Sequence, residues 1–168
     1  MLARRELVAA PIASADPRVA IRQRGKRAAA PRGGLLARSP AQLTAAVEEL
    51  LRFESPVQYQ ARRATRQVCV HGVQIPAGAR VVLLWGSANR DERRWRRADR
   101  LDIAREAKRH LAFGEGIHHC LGAPLARLEG RIVLEQVLAH MPSYRIVGPV
   151  ERVTTHNTRG VVRLPIEV

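Results

Sequence analysis

The sequence predicts an α+β fold, mainly helical, on three observations. A capped amphipathic segment begins near Ser39, short β-like runs fill residues 57–84, and a long apolar helix pattern follows Cys120. At 168 residues the chain is long enough for one domain, and a domain near that size buries roughly 70% of its unfolded surface. Hydrophobic residues at 46% and charged residues at 26% argue against wholesale disorder. The net charge of +14 points to anionic partners: nucleic acid, an anionic membrane surface or an acidic protein. Residues 1–40 hold nine Lys and Arg against two Asp and Glu, so this short segment carries +7, half of the excess.

Residues 1–34 form a separate Ala-, Arg- and Pro-rich segment without an aromatic residue. Its apolar residues keep no period of 2 or 3.6, so poor order or a marginal helix is expected. A nucleic-acid-binding arm would need stacking aromatics or a folded context, which speaks against that partner. Glu6 and Pro11 interrupt what would otherwise look like a signal peptide. No apolar run approaches the ~18 residues of a transmembrane helix, so no membrane partner is expected. Two cysteines are too few for a disulfide framework, and the expectation is a soluble, cytoplasmic protein.

The first clear helix starts with Ser39 as N-cap, Pro40 at the first helical position and Gln42 closing a capping box. Leu43, Val47, Leu50 and Leu51 make its apolar stripe, and Ser55-Pro56 stops it. Glu49 and Arg52 share another face, three residues apart. Taken alone, that is a solvated surface pair worth under ~1 kcal/mol. Next, Val68-Cys69-Val70 and Val81-Val82-Leu83-Leu84 flank the turn formers His71-Gly72 and Pro76-Ala77-Gly78, which predicts two or three antiparallel strands. Cys69, between valines, is expected to be inert packing. Residues 86–112 read as a charged loop with at most a short helix, pinned by Trp95 and Leu101.

Beyond Cys120, Leu121, Leu125, Leu128 and Ile132 recur at helical spacing, continued by Val133, Val137 and Met141. Pro124 suits the first turn and Pro142 ends the helix; a β-rich tail runs from Tyr144 to Val168. In front of the helix lies Phe113-Gly114-Glu115-Gly116-Ile117-His118-His119-Cys120-Leu121-Gly122. Its glycines let backbone approach a ligand closely. A cysteine at a helix N-terminus meets unpaired N–H groups and the positive end of the dipole, both of which favour a thiolate. Three other readings compete on the loop alone. Cys120 could be an inert buried thiol, a zinc ligand with His110, His118 and His119, or a nucleophile paired with a histidine.

Read together, these segments resemble the C-terminal part of bacterial-type cytochromes P-450, the haem-thiolate monooxygenases. Phe113-Gly114-x-Gly116-x-His118-x-Cys120-x-Gly122 matches the family's cysteine loop, and Ala123-Pro124-Leu125-Ala126-Arg127-Leu128-Glu129 its following helix. Glu49-x-x-Arg52 matches the family's buried Glu-x-x-Arg pair, with Arg100 where the family joins that pair to the loop. Ala88-Asn89-Arg90-Asp91, Arg159-Gly160 and Leu164-Pro165 are also family-like, so the resemblance covers residues 35–168.

The resemblance implies a partial haem-thiolate domain over 35–168 binding haem b (iron protoporphyrin IX). Cys120 would be the iron ligand, with Phe113 and Gly114 beside it. His118, Arg62 and His110 would pair the haem propionates, and Glu49, Arg52 and Arg100 would form a structural network. Val57 to Tyr59 and the turn at Thr158-Arg159 would wall a pocket for a small organic substrate. Arg93, Arg94, Arg96, Arg97, Arg105, Lys108, Arg109, Arg127 and Arg131 would form a basic face for a ferredoxin-type electron donor.

Family domains are more than twice this length, and their central helix carries an acid–alcohol pair for proton delivery. No such motif precedes Glu49, and the prolines usual in the family between the sheet and the loop are replaced by Arg94-Trp95-Arg96-Arg97-Ala98. The expectation is a truncated haem-thiolate monooxygenase: its inherited reaction is O2-dependent monooxygenation and its independent activity is doubtful. A non-catalytic haem- or partner-binding module and a basic nucleic-acid-binding protein are the alternatives.

Overall fold

The computed structural model describes residues 40–141 and 143–168. The expectations for residues 1–34, for the Ser39 cap and for the Pro142 stop lie outside the described residues. Helix α1 (Pro40–Phe53) packs on helix α3 (Ala123–His140). Between them, Leu43 and Ala46 form a small apolar core with Ile103, Leu134 and Leu138 packed around it. The helices approach closely at Gly130, where an added Cβ would stand 3.3 Å from Val47 Cγ1. The single turn α2 (Trp85–Ala88) opens the long segment leading to Cys120.

The sheet portion consists of antiparallel two-stranded ladders. β1 (Gln60–Arg63) pairs with β4 (Arg80–Leu83), enclosing the hairpin of β2 (Val68–Val70) and β3 (Val73–Ile75). His71 and Gly72 both take positive φ, +49° and +83°, as a tight hairpin turn requires. In the tail, β5 (Arg145–Ile146) pairs with β8 (Ile166–Glu167) and β6 (Glu151–Arg152) with β7 (Val161–Arg163). Four strands thus stand where two or three were expected between residues 57 and 84. Cys69 is exposed on β2, opposite Gln74, so it is not a packing residue. Three-residue strands in a lone hairpin have no second layer to bury their side chains. Trp95 is buried as expected, but Leu101 is 41% exposed.

The apolar stripe read from the sequence of α3 faces away from α1. Leu125, Leu128 and Ile132 are exposed, while Ala123, Gly130, Leu134 and Leu138 lie on the side turned to α1. A helix apolar on opposite faces is built to be covered on both.

The largest fully buried side chains are polar: Arg52, Glu49, Asn89 and Ser55. Arg52 Nε and Nη2 donate to the two Glu49 carboxylate oxygens at 2.7 and 2.8 Å, a bidentate pair with both side chains fully buried. The remaining Arg52 N–H capacity goes to main-chain carbonyls, Nη1 to Asn89 (2.7 Å) and Ala98 (3.1 Å) and Nη2 also to Arg100 (3.2 Å). Desolvating two charges is costly, and only this degree of hydrogen bonding offsets it. Glu49→Ala or Arg52→Ala leaves one charge buried and unpaired, so each is expected to lower unfolding free energy by about 3–5 kcal/mol, read from urea denaturation.

Candidate functional site

Cys120 follows a 3-10 turn (Gly116–His118) and precedes Gly122, the N-cap of α3. Gly114 and Gly116 hold φ of +71° and +73°, so the loop's path depends on glycine at both positions. The Cys120 N–H donates to the Phe113 carbonyl (2.9 Å), and the Cys120 carbonyl accepts the Ala123 N–H (3.2 Å). The chain is therefore tied down on both sides of the thiol. Cys120 is exposed, and its neighbours Ile117 and Leu121 are 98% and 97% exposed. That removes the inert buried thiol. Among the described residues no cluster of three or more His, Cys, Asp or Glu side chains could hold a metal, which removes the zinc reading.

The loop is held from behind. Asn89 is 1% exposed; its Oδ1 accepts the Leu111 N–H (2.7 Å) while its Nδ2 donates to Ser55 Oγ (2.8 Å). Its carbonyl receives Arg52, so one residue joins the buried pair to the start of the loop. Glu49 Oε1 also accepts the Asp102 N–H (2.9 Å) and Arg105 Nε (3.2 Å). Burial pushes the Glu49 carboxyl pKa up, but hydrogen bonds from Arg52 and the Asp102 N–H outweigh this and hold it below the usual carboxylate range.

Two expected residues stand elsewhere. Arg100 reaches the network only through its main-chain carbonyl; its side chain is exposed, and the second guanidinium on Glu49 is that of Arg105. His110 is buried rather than presented to a ligand. Its Nδ1 accepts the Ala112 N–H (3.1 Å), and its Nε2 lies 3.1 Å from Glu48 Oε2 in an oblique approach. Both ring nitrogens thus face protein, leaving none for a propionate. His118 is exposed on the 3-10 turn, and Arg62, half-buried on β1, donates to the Ala61 carbonyl (2.9 Å) and Gln60 Oε1 (3.3 Å).

Glu48 and Arg127 belong to the site without having been singled out for it by the sequence. Arg127 donates from Nε (2.6 Å) and Nη2 (3.1 Å) to the two Glu48 oxygens. Burial would raise the Glu48 carboxyl, yet the neighbouring His110 ring and the hydrogen-bonded Arg127 guanidinium bring it down to about 2. Glu48 was legible only as one of two adjacent helical carboxylates, with no mark of which partner each would find.

The basic face is smaller than expected, because Arg105 and Arg127 serve Glu49 and Glu48, Arg93 pairs with Asp91 and Arg131 with Glu135. Of the rest, Arg94, Arg96 and Arg97 line a cleft of about 630 Å³ together with the paired Arg93, Arg100, Glu92 and Asp99.

A family profile described as Cytochrome P450 matches residues 41–158. The chain is 45% identical over 123 residues to cytochrome p450 CYP199A2 of Rhodopseudomonas palustris, covering 73% of this chain and 30% of that protein. It is 46% identical over 136 residues to the vitamin D(3) 25-hydroxylase of Pseudonocardia autotrophica, covering 79% and 34%. Among solved structures, P450BioI in complex with hexadec-9Z-enoic acid ligated acyl carrier protein matches with a TM-score of 0.75 at 40% identity, over 79% of this chain and 35% of that one. CYP109B1 of Bacillus subtilis matches with a TM-score of 0.76 at 36% identity, over 81% and 37%. The chain therefore spans about a third of the length of the relatives it matches.

Arg105→Ala is expected to cost about 1–3 kcal/mol by removing a charged donor from buried Glu49, whereas Arg100→Ala, which keeps the carbonyl, stays within about 0.5 kcal/mol in the same urea assay. Glu48 gives a pH signature. Its lowered pKa contributes stability that is complete above the ordinary value of 4.5 and lost as pH falls towards about 2. Glu48→Gln is expected to flatten that part of the acid-unfolding curve, followed by the urea midpoint against pH.

Proposed function

The chain belongs to the cytochrome P450 family, and on that premise we propose that it binds haem b through the Cys120 thiolate and forms the thiolate side of a monooxygenase site. The observation that carries this reading is the exposed Cys120 itself, bracketed by the outward apolar side chains of Ile117 and Leu121. One soft sulfur donor on an apolar ledge fits a flat hydrophobic macrocycle that needs a single protein ligand on this side. It fits no ion needing several side-chain donors. When bound, haem supplies the redox chemistry by which the family activates O2 and oxidises an organic substrate.

The chain's own residues have defined tasks in this reading. The Phe113–Cys120 backbone bond holds the main chain from which the sulfur projects. The positive end of the α3 dipole lies on the Cys120 side of that helix. The buried pair, through Asn89 and Leu111, fixes the loop relative to α1. Exposed His118 and half-buried Arg62 supply donors for the propionates; His110 does not. The Val57–Thr158 bridge supports assigning those two segments to the walls of one pocket. The Arg-lined cleft suits an acidic ferredoxin-type donor by electrostatic steering. No helix among the described residues is long and apolar enough to cross a membrane.

Independent turnover is not part of the proposal, since the chain spans about a third of its relatives' length. Titration with haem, reduction and carbon monoxide tests it. The expected result is the red-shifted Soret band of a thiolate-ligated carbonyl adduct, lost in Cys120→Ser. Arg62→Ala and His118→Ala are each expected to weaken haem retention about tenfold. A folded protein with no haem affinity would overturn the reading.

A further inference from the structure

Glu48 and Glu49 are adjacent on α1, so their side chains leave the helix roughly 100° apart. Glu49 turns into the interior to meet Arg52. Glu48 instead reaches the two flanks of the Cys120 loop. His110 lies ten residues before Cys120, and Arg127 seven residues after it on α3; both meet the Glu48 carboxylate. The same two residues enclose Phe113. The Arg127 guanidinium lies over the Phe113 ring, 4.7 Å from its centroid, and the His110 ring is 5.8 Å from it. Phe113 in turn supplies the carbonyl that receives the Cys120 N–H.

We propose that Glu48 is a positioning residue for Cys120: its carboxylate gathers His110 and Arg127 around the Phe113 ring and so fixes the carbonyl to which the Cys120 N–H is tied. The functional meaning of this rests on Cys120 being the iron ligand, but the positioning itself does not. Three features separate Glu48 from an ordinary surface partner. Its bond with Arg127 uses both carboxylate oxygens, which fixes the angle of the guanidinium as well as its distance. The same carboxylate meets His110, a ring that is almost wholly buried and whose Nε2 has no other polar partner. Its pKa, brought down to about 2 against the effect of burial, reflects how strongly the two partners hold its charged form. The Arg127–Phe113 contact also depends on a planar cation, so it would not survive exchange of Arg127 for Lys unchanged.

The test uses the whole chain without added haem, so that failure of haem binding and failure of this proposal give different results. The protein is treated with iodoacetamide without denaturant, and modification of each cysteine is followed over time by peptide mass spectrometry. Cys69 on the separate β2–β3 hairpin is also exposed and serves as the internal reference. In Glu48→Gln and Glu48→Asp the Cys120 rate is expected to rise several-fold while the Cys69 rate stays at its wild-type value. Aspartate keeps the charge but is one methylene too short to hold both partners. An unchanged Cys120 rate in both variants overturns the proposal. A rise in Gln but not in Asp also overturns it, because charge alone then accounts for the effect. An equal rise at Cys69 and Cys120 does the same, as a sign of general loosening. Arg145→Gln, which breaks the exposed Arg145–Glu167 pair in the C-terminal tail, is the control and is expected to leave both rates unchanged. If either Glu48 variant fails to fold by circular dichroism, Arg127→Lys takes its place, with the same rise at Cys120 alone expected and its absence overturning the proposal.

Discussion

The buried Glu49–Arg52 pair is the interaction on which the rest of this structure depends. It occupies the place that a cluster of large aliphatic side chains takes in most domains. The apolar core between α1 and α3 is small, and the largest wholly buried side chains are this pair, Asn89 and Ser55. An arginine with donors directed at one carboxylate and three carbonyls collects chain segments that have no regular hydrogen-bonding pattern of their own. Residues 89–111 contain no helix or strand, yet their path is set because their carbonyls and amides end on this hub. The order follows from electrostatics. Once charges are desolvated, every unfilled donor is costly, so the surrounding backbone must converge on them.

The adjacent Glu48 gives α1 a second anchor at a different angle. One carboxylate is sealed inside and organises the segment leading to the loop; the other lies nearer the surface and grips the loop's flanks. Two neighbouring glutamates thus divide the task of holding a cysteine that belongs to another part of the chain. The far side of α3 contrasts with this. Leu121, Leu125, Leu128 and Ile132 have the composition of a buried face but are exposed among the described residues. An apolar patch of that kind is uncommon on a free-standing surface.

What the sequence disclosed follows the range of each interaction. The body and C-terminal stop of α1, strand β2 with its His71-Gly72 turn and the position of α3 arise from contacts a few residues apart, and local signals located them. The Glu49–Arg52 spacing was visible, but its burial was not, since i,i+3 pairs look alike in solvent and in a core. Arg100 and Arg105 were confused because one offers a carbonyl and the other a guanidinium to the same hub, and a one-letter string marks only side chains. His110 was expected to pair a haem propionate, because its actual partner, Glu48, lies 62 positions away and leaves no local mark. The apolar stripe of α3 was correctly found on the helix. Periodicity identifies an apolar face but does not say what covers it. Cys69 shows the same limit: valine neighbours indicate a strand, and burial also needs a second layer.

The three carbonyl contacts of Arg52 have a consequence for how this segment tolerates change. A side chain recognised by another side chain is constrained in identity, but Ala98 and Arg100 are recognised through atoms that every residue possesses. Substitutions at the exposed Arg100 leave its contact in place. A residue inserted or deleted between Asn89 and Ala98 shifts the Ala98 and Arg100 carbonyls out of phase with that of Asn89 at the guanidinium. The stretch is therefore constrained in length far more than in spelling, and related chains could diverge widely there in composition while keeping the count of residues.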